Sequence, residues 1–207
     1  MDEPIEITVA RENGVLSRMD ALAELRVRVF REWPYLYDGD TAYEHGYLST
    51  YAKCPEAIVV VASTGGRVIG ASTALPLKEE PDSVRAPFER AGLPVAAFFY
   101  FGESVLLPEF RGRGIGGRFM EERLREAERT GHRWATFCAV ERDPADPRRP
   151  RDFADLHPFW ASRGFERRPD LATEFHWKEI GETESTAKPM VFWVKSLAKP
   201  PPAPGHG

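Results

Sequence analysis

Apolar and polar positions alternate at the start of the chain. Ile5, Ile7 and Val9 alternate with Glu6 and Thr8, the period of a strand with one buried and one wet face. The period then changes. Leu22, Leu25, Val29 and Phe30 recur at helical spacing, predicting a helix capped by Ser17 that runs to about residue 33, where Pro34 breaks it. Asp38-Gly39-Asp40 is turn chemistry, and Asp40 or Thr41 caps a second predicted helix through about residue 52. Residues 57–63 and 68–77 read as strands joined by a hairpin turn at Thr64-Gly65-Gly66-Arg67. Residues 81–92 hold a short helix or a loop in which Val84, Pro87 and Phe88 pack. The apolar run 98–107 predicts a central strand. Ile115, Phe119, Leu124 and Ala127 then place one apolar stripe on a helix that Gly131 closes.

Beyond that helix, residues 134–140 read as a strand and the proline-rich stretch 142–151 as an irregular loop. Asp152 is placed to cap a helix ending at Gly164. Residues 171–180 and 189–197 are the last predicted strands, and residues 199–207 read as a disordered Pro/Gly-rich tail. No repeat or interior linker divides residues 1–198, which read as a single domain.

Composition narrows the function classes. The 207 residues are 42% hydrophobic and 29% charged, ordinary values for a globular chain with a real core. A formal net charge of −4 argues against a nucleic-acid partner. No apolar run reaches the length of a membrane span, and the first residues lack the pattern of a signal peptide. Cys54 and Cys138 are too few for a disulfide framework or a cysteine-based metal site, so no metal is expected and a cytoplasmic setting is.

The chemistry concentrates at Arg111-Gly112-Arg113-Gly114-Ile115-Gly116-Gly117, between the central strand and the following helix. Glycines allow close backbone approach, a helix start offers unpaired N–H groups, and Arg111, Arg113 and Arg118 add positive charge. That combination reads as an anion site, most naturally for phosphate. A Walker loop is excluded because no Gly-Lys-Ser/Thr ends the run. Gly112, Gly114 and Gly117 also fit G-x-G-x-x-G of dinucleotide sites, with Glu141 near the place of a ribose-binding acid. Against that reading, residues 108–111 separate the strand from the first glycine, and no further βαβ units follow.

A third reading is more specific. The loop resembles the pyrophosphate loop of the GNAT acetyltransferases, an Arg or Gln, two residues, Gly, one residue, then Gly or Ala, matched by Arg111, Gly114 and Gly116. The lead-in Val105-Leu106-Leu107-Pro108-Glu109-Phe110 is similar to that family's strand-to-loop passage. Phe159-Trp160-Ala161-Ser162-Arg163-Gly164-Phe165 is similar to its later helix, which ends in an aromatic, three residues, then Gly-Phe. The likeness extends over residues 57–196 and implies an α/β fold: a mixed, twisted central sheet flanked by helices.

The resemblance implies acetyl-CoA as acyl donor. Backbone N–H groups of Gly112, Arg113, Gly114, Ile115, Gly116 and Gly117 would hold its pyrophosphate. The backbone of Ser104, Val105 and Leu106 would pair with the pantetheine arm, and an N–H near Leu106 would polarise the thioester. It further implies direct attack by a primary amine of a small molecule or peptide, and homodimers are common among such folds. Glu103 is the expected general base. Tyr100 lies nearer the position used by several relatives, but a phenol of ordinary pKa near 10 is a poor base at neutral pH. Trp160 stands beside the cofactor where many relatives carry an acidic tyrosine, and indole cannot supply that proton. His157, one helical turn earlier, is the candidate acid. Loss of the tyrosine also keeps open a non-catalytic acyl-CoA-binding or sensing domain. The acceptor entrance is expected at residues 33–40 with Tyr43, Glu44 and Tyr47, whose aromatic rings and acids suit a cationic amine.

Overall fold

Strand and helical periodicities alternate along the chain and produce one mixed sheet with helices on both faces. A computed structural model describes residues 3–197, so the expected tail at 199–207 lies outside the described residues. In order these are β1 (Glu6–Ala10), α1 (Asn13–Leu16), α2 (Met19–Phe30), α3 (Thr41–Lys53), β2 (Ile58–Thr64), β3 (Arg67–Pro76), α4 (Asp82–Arg90), β4 (Phe98–Leu106), α5 (Ile115–Arg129), β5 (Trp134–Val140), α6 (His157–Ala161), β6 (Glu166–Trp177) and β7 (Thr186–Ser196). The sheet order is β1-β2-β3-β4-β5-β7-β6. Every neighbouring pair is antiparallel except β4 with β5. A single parallel pair is incompatible with a doubly wound dinucleotide fold. Glu141, the alternative ribose acid, pairs with Arg167 at 2.7 Å.

The core follows the alternation of the strands. Phe99 and Phe101 of β4 point toward α5, and Phe119 and Phe165 are buried with them. Each such ring contributes roughly 1.5–3 kcal/mol by leaving water. Tyr100 points to the other face, where α2, α3 and α4 lie. Among the described residues no helix is long and apolar enough to cross a membrane.

Two expected helix starts are corrected. Ser17 ends α1 instead of opening α2: its Oγ donates to the Gly14 carbonyl at 3.1 Å. Asp152 caps nothing, and α6 is confined to His157–Ala161. Pro158 explains this, since proline fits the first helical turn but not the interior. Asp155 accepts from the His157 N–H instead, at 2.9 Å. Asp40 does cap α3, accepting from the Tyr43 N–H at 3.0 Å. On α5 the buried stripe includes Arg123 and Glu126, while Leu124 is only half-buried. β6 begins at Glu166 rather than near residue 171, because a register shift between Arg168 and Ala172 carries the strand past Pro169 and Asp170.

Candidate functional site

β4 is the strand that builds the site, through two irregularities. Ser72 faces Ser104 and Ala74 faces Phe101, so Thr73 stands opposite both Gly102 and Glu103. This bulge re-aims the chain, and Glu103 turns to the α2–α3 face that Tyr100 already serves. Pairing of β4 with β5 stops at Tyr100 and Thr136. β5 continues along β7 to Val140, whereas β4 continues along β3 to Leu106. Ser104, Val105 and Leu106 therefore keep β3 on one side and present a strand edge toward the gap on the other. Such an edge can take an extended, amide-bearing arm.

The glycine loop lies at the end of that edge. Gly112 and Gly114 have φ of 75° and 78°, and Gly114 is the N-cap of α5. Arg118 donates to the Gly114 carbonyl at 3.2 Å, so the amides of Ile115, Gly116 and Gly117 precede the first ladder bond. A Cβ at Gly112 or Gly114 would meet nothing within 4 Å, which leaves the cradle open. Open amides at the positive end of a 15-residue helix fit a pyrophosphate. The arginines divide their work. Arg118 is exposed. Arg113 donates to the Glu109 carbonyl at 3.2 Å and lies over Phe110. Arg111 donates to the Leu106 carbonyl at 3.2 Å and pairs with Glu32 at 2.9 Å. Arg163 was not foreseen here; a Cβ on Gly117 would come within 3.1 Å of its guanidinium.

On the opposite face a cavity of about 360 Å³ opens between α2, α3, α4, β4 and β6. Tyr35, Tyr37, Tyr43, Glu44 and Tyr47 line it, so the expected entrance residues do converge. Four carboxylates, Glu44, Glu80, Glu103 and the exposed Glu174, share its wall with one guanidinium, Arg26. Arg26 bridges Glu44 and Glu103. Tyr47 donates to Glu103 Oε2 at 2.6 Å and Thr73 donates to the same oxygen at 2.9 Å. Glu103 is thus a held, 7% exposed group and not a strand-end charge in solvent. Tyr47 and Tyr51 hydroxyls lie 2.8 Å apart, and Tyr51 reaches Glu80 Oε1 at 3.4 Å. Gly102 makes this crowding feasible: a Cβ there would stand 2.2 Å from the Tyr51 hydroxyl and 2.5 Å from Thr73 Oγ1.

Electrostatics follow from burial. Burial, then the charge of Glu103, pushes Glu80 up to about 7. Burial opposes the charge on Arg26, but Glu103, Tyr47 and Glu44 outweigh it and raise its pKa, so Arg26 stays protonated. Burial raises Tyr47, Tyr51 and Tyr100 well above a normal phenol. Tyr100 accordingly remains a neutral hydroxyl, 3.2 Å from Cys138 Sγ, and burial pushes that thiol up to about 12. Glu44 Oε1 is buried with no hydrogen-bond partner.

His157 and Trp160 stand apart from this cavity. They pack with Phe137 and Trp193, on the side of β5 and β7 away from Cys138 and Met190. His157 is partly exposed, 3.5 Å from Asp155. The residues that sequence reasoning passed over are Arg26, Thr73, Tyr51 and Glu80. Arg26 alone left a signal, a charge on the Leu22–Leu25 stripe of α2.

Known structures share this architecture. A candidate acetyltransferase from Acinetobacter baylyi ADP1 superposes with a TM-score of 0.64 at 12% identity, covering 96% of this chain and 94% of that one. A candidate acetyltransferase from Salmonella typhimurium, solved with its cofactor acetyl-CoA, gives 0.56 at 14% identity, covering 95% and 96%. The ribosomal-protein-alanine N-acetyltransferase from Brucella melitensis gives 0.58 at 18% identity, covering 93% and 99%. No curated protein sequence matches. The sequence itself matches the acetyltransferase (GNAT) family over residues 19–165. The chain therefore belongs to the GNAT family of acetyltransferases, with acetyl-CoA as its cofactor.

Proposed function

We propose that this protein acetylates a primary amine that arrives as a cation in the cavity between α2, α3 and β4. The observation that carries the reading is the charge imbalance of that cavity: four carboxylates, one guanidinium, and a buried Glu44 oxygen with no partner. A buried unpaired carboxylate oxygen is costly, and an ammonium group relieves that cost. The aromatic walls add cation–π attraction. The cavity volume suits a small-molecule amine or the end of a peptide.

When bound, acetyl-CoA supplies an activated acetyl thioester. The residues of the chain do the rest. Amides at 112–117 hold the pyrophosphate, and the free edge of Ser104–Val105–Leu106 aligns the pantetheine arm. Glu103, fixed by Arg26, Tyr47 and Thr73, meets the amine and accepts its proton directly or through a water. His157 is the candidate acid for the leaving thiolate, on the Trp160 side of the sheet. Free thiols at Cys54 and Cys138 suit the reducing cytoplasm.

The test is thiol release from acetyl-CoA across a panel of primary amines, monitored with a disulfide dye, beside calorimetric titration with acetyl-CoA. Saturable amine-dependent release supports the reading. Tight acetyl-CoA binding without turnover of any amine would replace it with an acyl-CoA sensor.

A further inference from the structure

Four groups in the acceptor cavity form an unbroken polar chain: Glu103 Oε2, Tyr47 Oη, Tyr51 Oη and Glu80 Oε1, at successive separations of 2.6, 2.8 and 3.4 Å. Three contacts need three protons. Tyr47 donates to Glu103 and Tyr51 donates to Glu80, which leaves the 2.8 Å contact between the hydroxyls without a proton. A third proton completes the chain, and a carboxyl must hold it. Arg26 pairs with Glu103 and occupies that end with a cation. Among the described residues no Lys, Arg or His lies within ion-pair distance of Glu80, so the proton belongs there.

We propose that Glu80, Tyr51, Tyr47 and Glu103 are one proton wire that takes the amine's proton and stores it on Glu80. This rests on the amine reading above. In the working form the wire is one proton short. An N–H bond of the ammonium breaks, its electron pair stays on nitrogen, and the proton enters at Glu103. Each hydroxyl passes one proton on and receives one, and Glu80 ends as the neutral acid. Glu80 afterwards returns that proton to solvent. Its position is well fixed for this part. The Glu80 N–H donates to the Leu77 carbonyl at 3.1 Å and Pro81 opens α4 directly after it.

The surrounding charges agree. Burial and Glu103 hold Glu80 near 7, where storage and release are both accessible. Arg26 comes from α2, Glu44 from α3, Tyr100 from β4 and Cys138 from β5; Glu174 and His176 line the cavity from β6.

Glu80→Gln tests the wire, because its amide donates permanently to Tyr51 and mimics the filled state. With any amine that the wild type acetylates, kcat/KM should fall roughly 100-fold, and the loss of rate below about pH 7 should vanish. Tyr47→Phe, which breaks the chain but leaves both carboxylates, should lower kcat more than it raises the amine KM. Infrared titration of the protein without ligands gives a second readout. A protonated-carboxyl band should disappear as pH rises through about 7 in wild type and be absent from Glu80→Gln. Turnover with an unchanged acidic limb in Glu80→Gln, or no carboxyl titrating near 7, would overturn the wire alone. Failure of every amine to react, with the band present, would overturn the amine reading and with it the wire's use in catalysis.

Discussion

The glycine cradle and the acceptor cavity flank the same strand but are built from different material. The cradle is seven consecutive residues acting through backbone, with Gly112 and Gly114 at positive φ and side chains pointing elsewhere. The cavity and its wall draw Arg26, Glu44, Thr73 and Glu103 from four elements and Glu80 from the segment before α4, and act through side chains. A backbone site needs space and conformation, and it tolerates neighbours that change. A side-chain site of buried charges needs every member at once, because removing one leaves another desolvated and unpaired. The first arrangement suits a cofactor shared by a family, the second an acceptor peculiar to one chain.

Arg26→Met should separate them most strongly. It strands Glu44 and Glu103 as buried carboxylates without their cation. Unfolding in urea should show a loss of about 3–5 kcal/mol. The folded fraction should still bind acetyl-CoA with wild-type affinity, since the cradle has no part in the network. A variant of unaltered stability would mean that the ion cluster is not held as described.

Gly114→Glu is the converse. The left-handed backbone at φ 78° costs an L side chain about 1–2 kcal/mol, and the new carboxylate faces the amides proposed to receive pyrophosphate. Calorimetry should show acetyl-CoA affinity lowered by roughly 100-fold or more, about 2.7 kcal/mol. Gly114→Ala should keep most of it, since a Cβ there meets nothing within 4 Å. If Ala were as damaging as Glu, backbone strain and not charge would govern the cradle.

This contrast also governs what could be read from sequence. The cradle, the Gly65-Gly66 hairpin and the Asp40 cap are local, and the chain displays them in consecutive letters. The β4 bulge depends on how β3 pairs with it, which no run of consecutive letters displays. Ser17 and Asp152 carried the right chemistry for caps, yet the chain uses Ser17 to end a turn, and Pro158 prevents an earlier start to α6. Glu80 was illegible for a physical reason. It sits in Lys78-Glu79-Glu80-Pro81-Asp82, which resembles a solvated charged loop. Burial beside Tyr51 of α3, together with the charge of Glu103 on β4, turns an ordinary carboxylate into a group near pH 7.

That burial has a cost, which gives the next prediction. Glu80 is raised from 4.5 to about 7, so between those pH values the folded state binds more protons than the unfolded chain. Stability should therefore fall as pH rises through this window, and the deficit should be complete above it. Glu80→Gln removes the penalty. Its unfolding free energy should exceed that of wild type at pH 8 by roughly 3 kcal/mol, with the gap closing toward pH 5. A more stable but slower enzyme is the pattern expected where a site keeps a strained charge for function. Equal stability at pH 8 would mean that Glu80 is solvated.

Asp40→Ala should give the smallest effect and the finest comparison. Asp40 is not itself part of the cavity lining; it accepts from the N–H of Tyr43, which is, and fixes the first turn of α3. Loss of the cap costs about 1 kcal/mol in stability. The same helix presents Glu44, Tyr47 and Tyr51 to the cavity, so fraying of its start loosens side chains that must act together. The amine KM should rise a few-fold while acetyl-CoA affinity stays constant. Asp40→Asn, which retains the accepting oxygen, should restore both stability and KM. If acetyl-CoA binding weakened in step with the amine, α3 would couple the two sites through β4, and the division between a backbone site and a side-chain site would no longer hold.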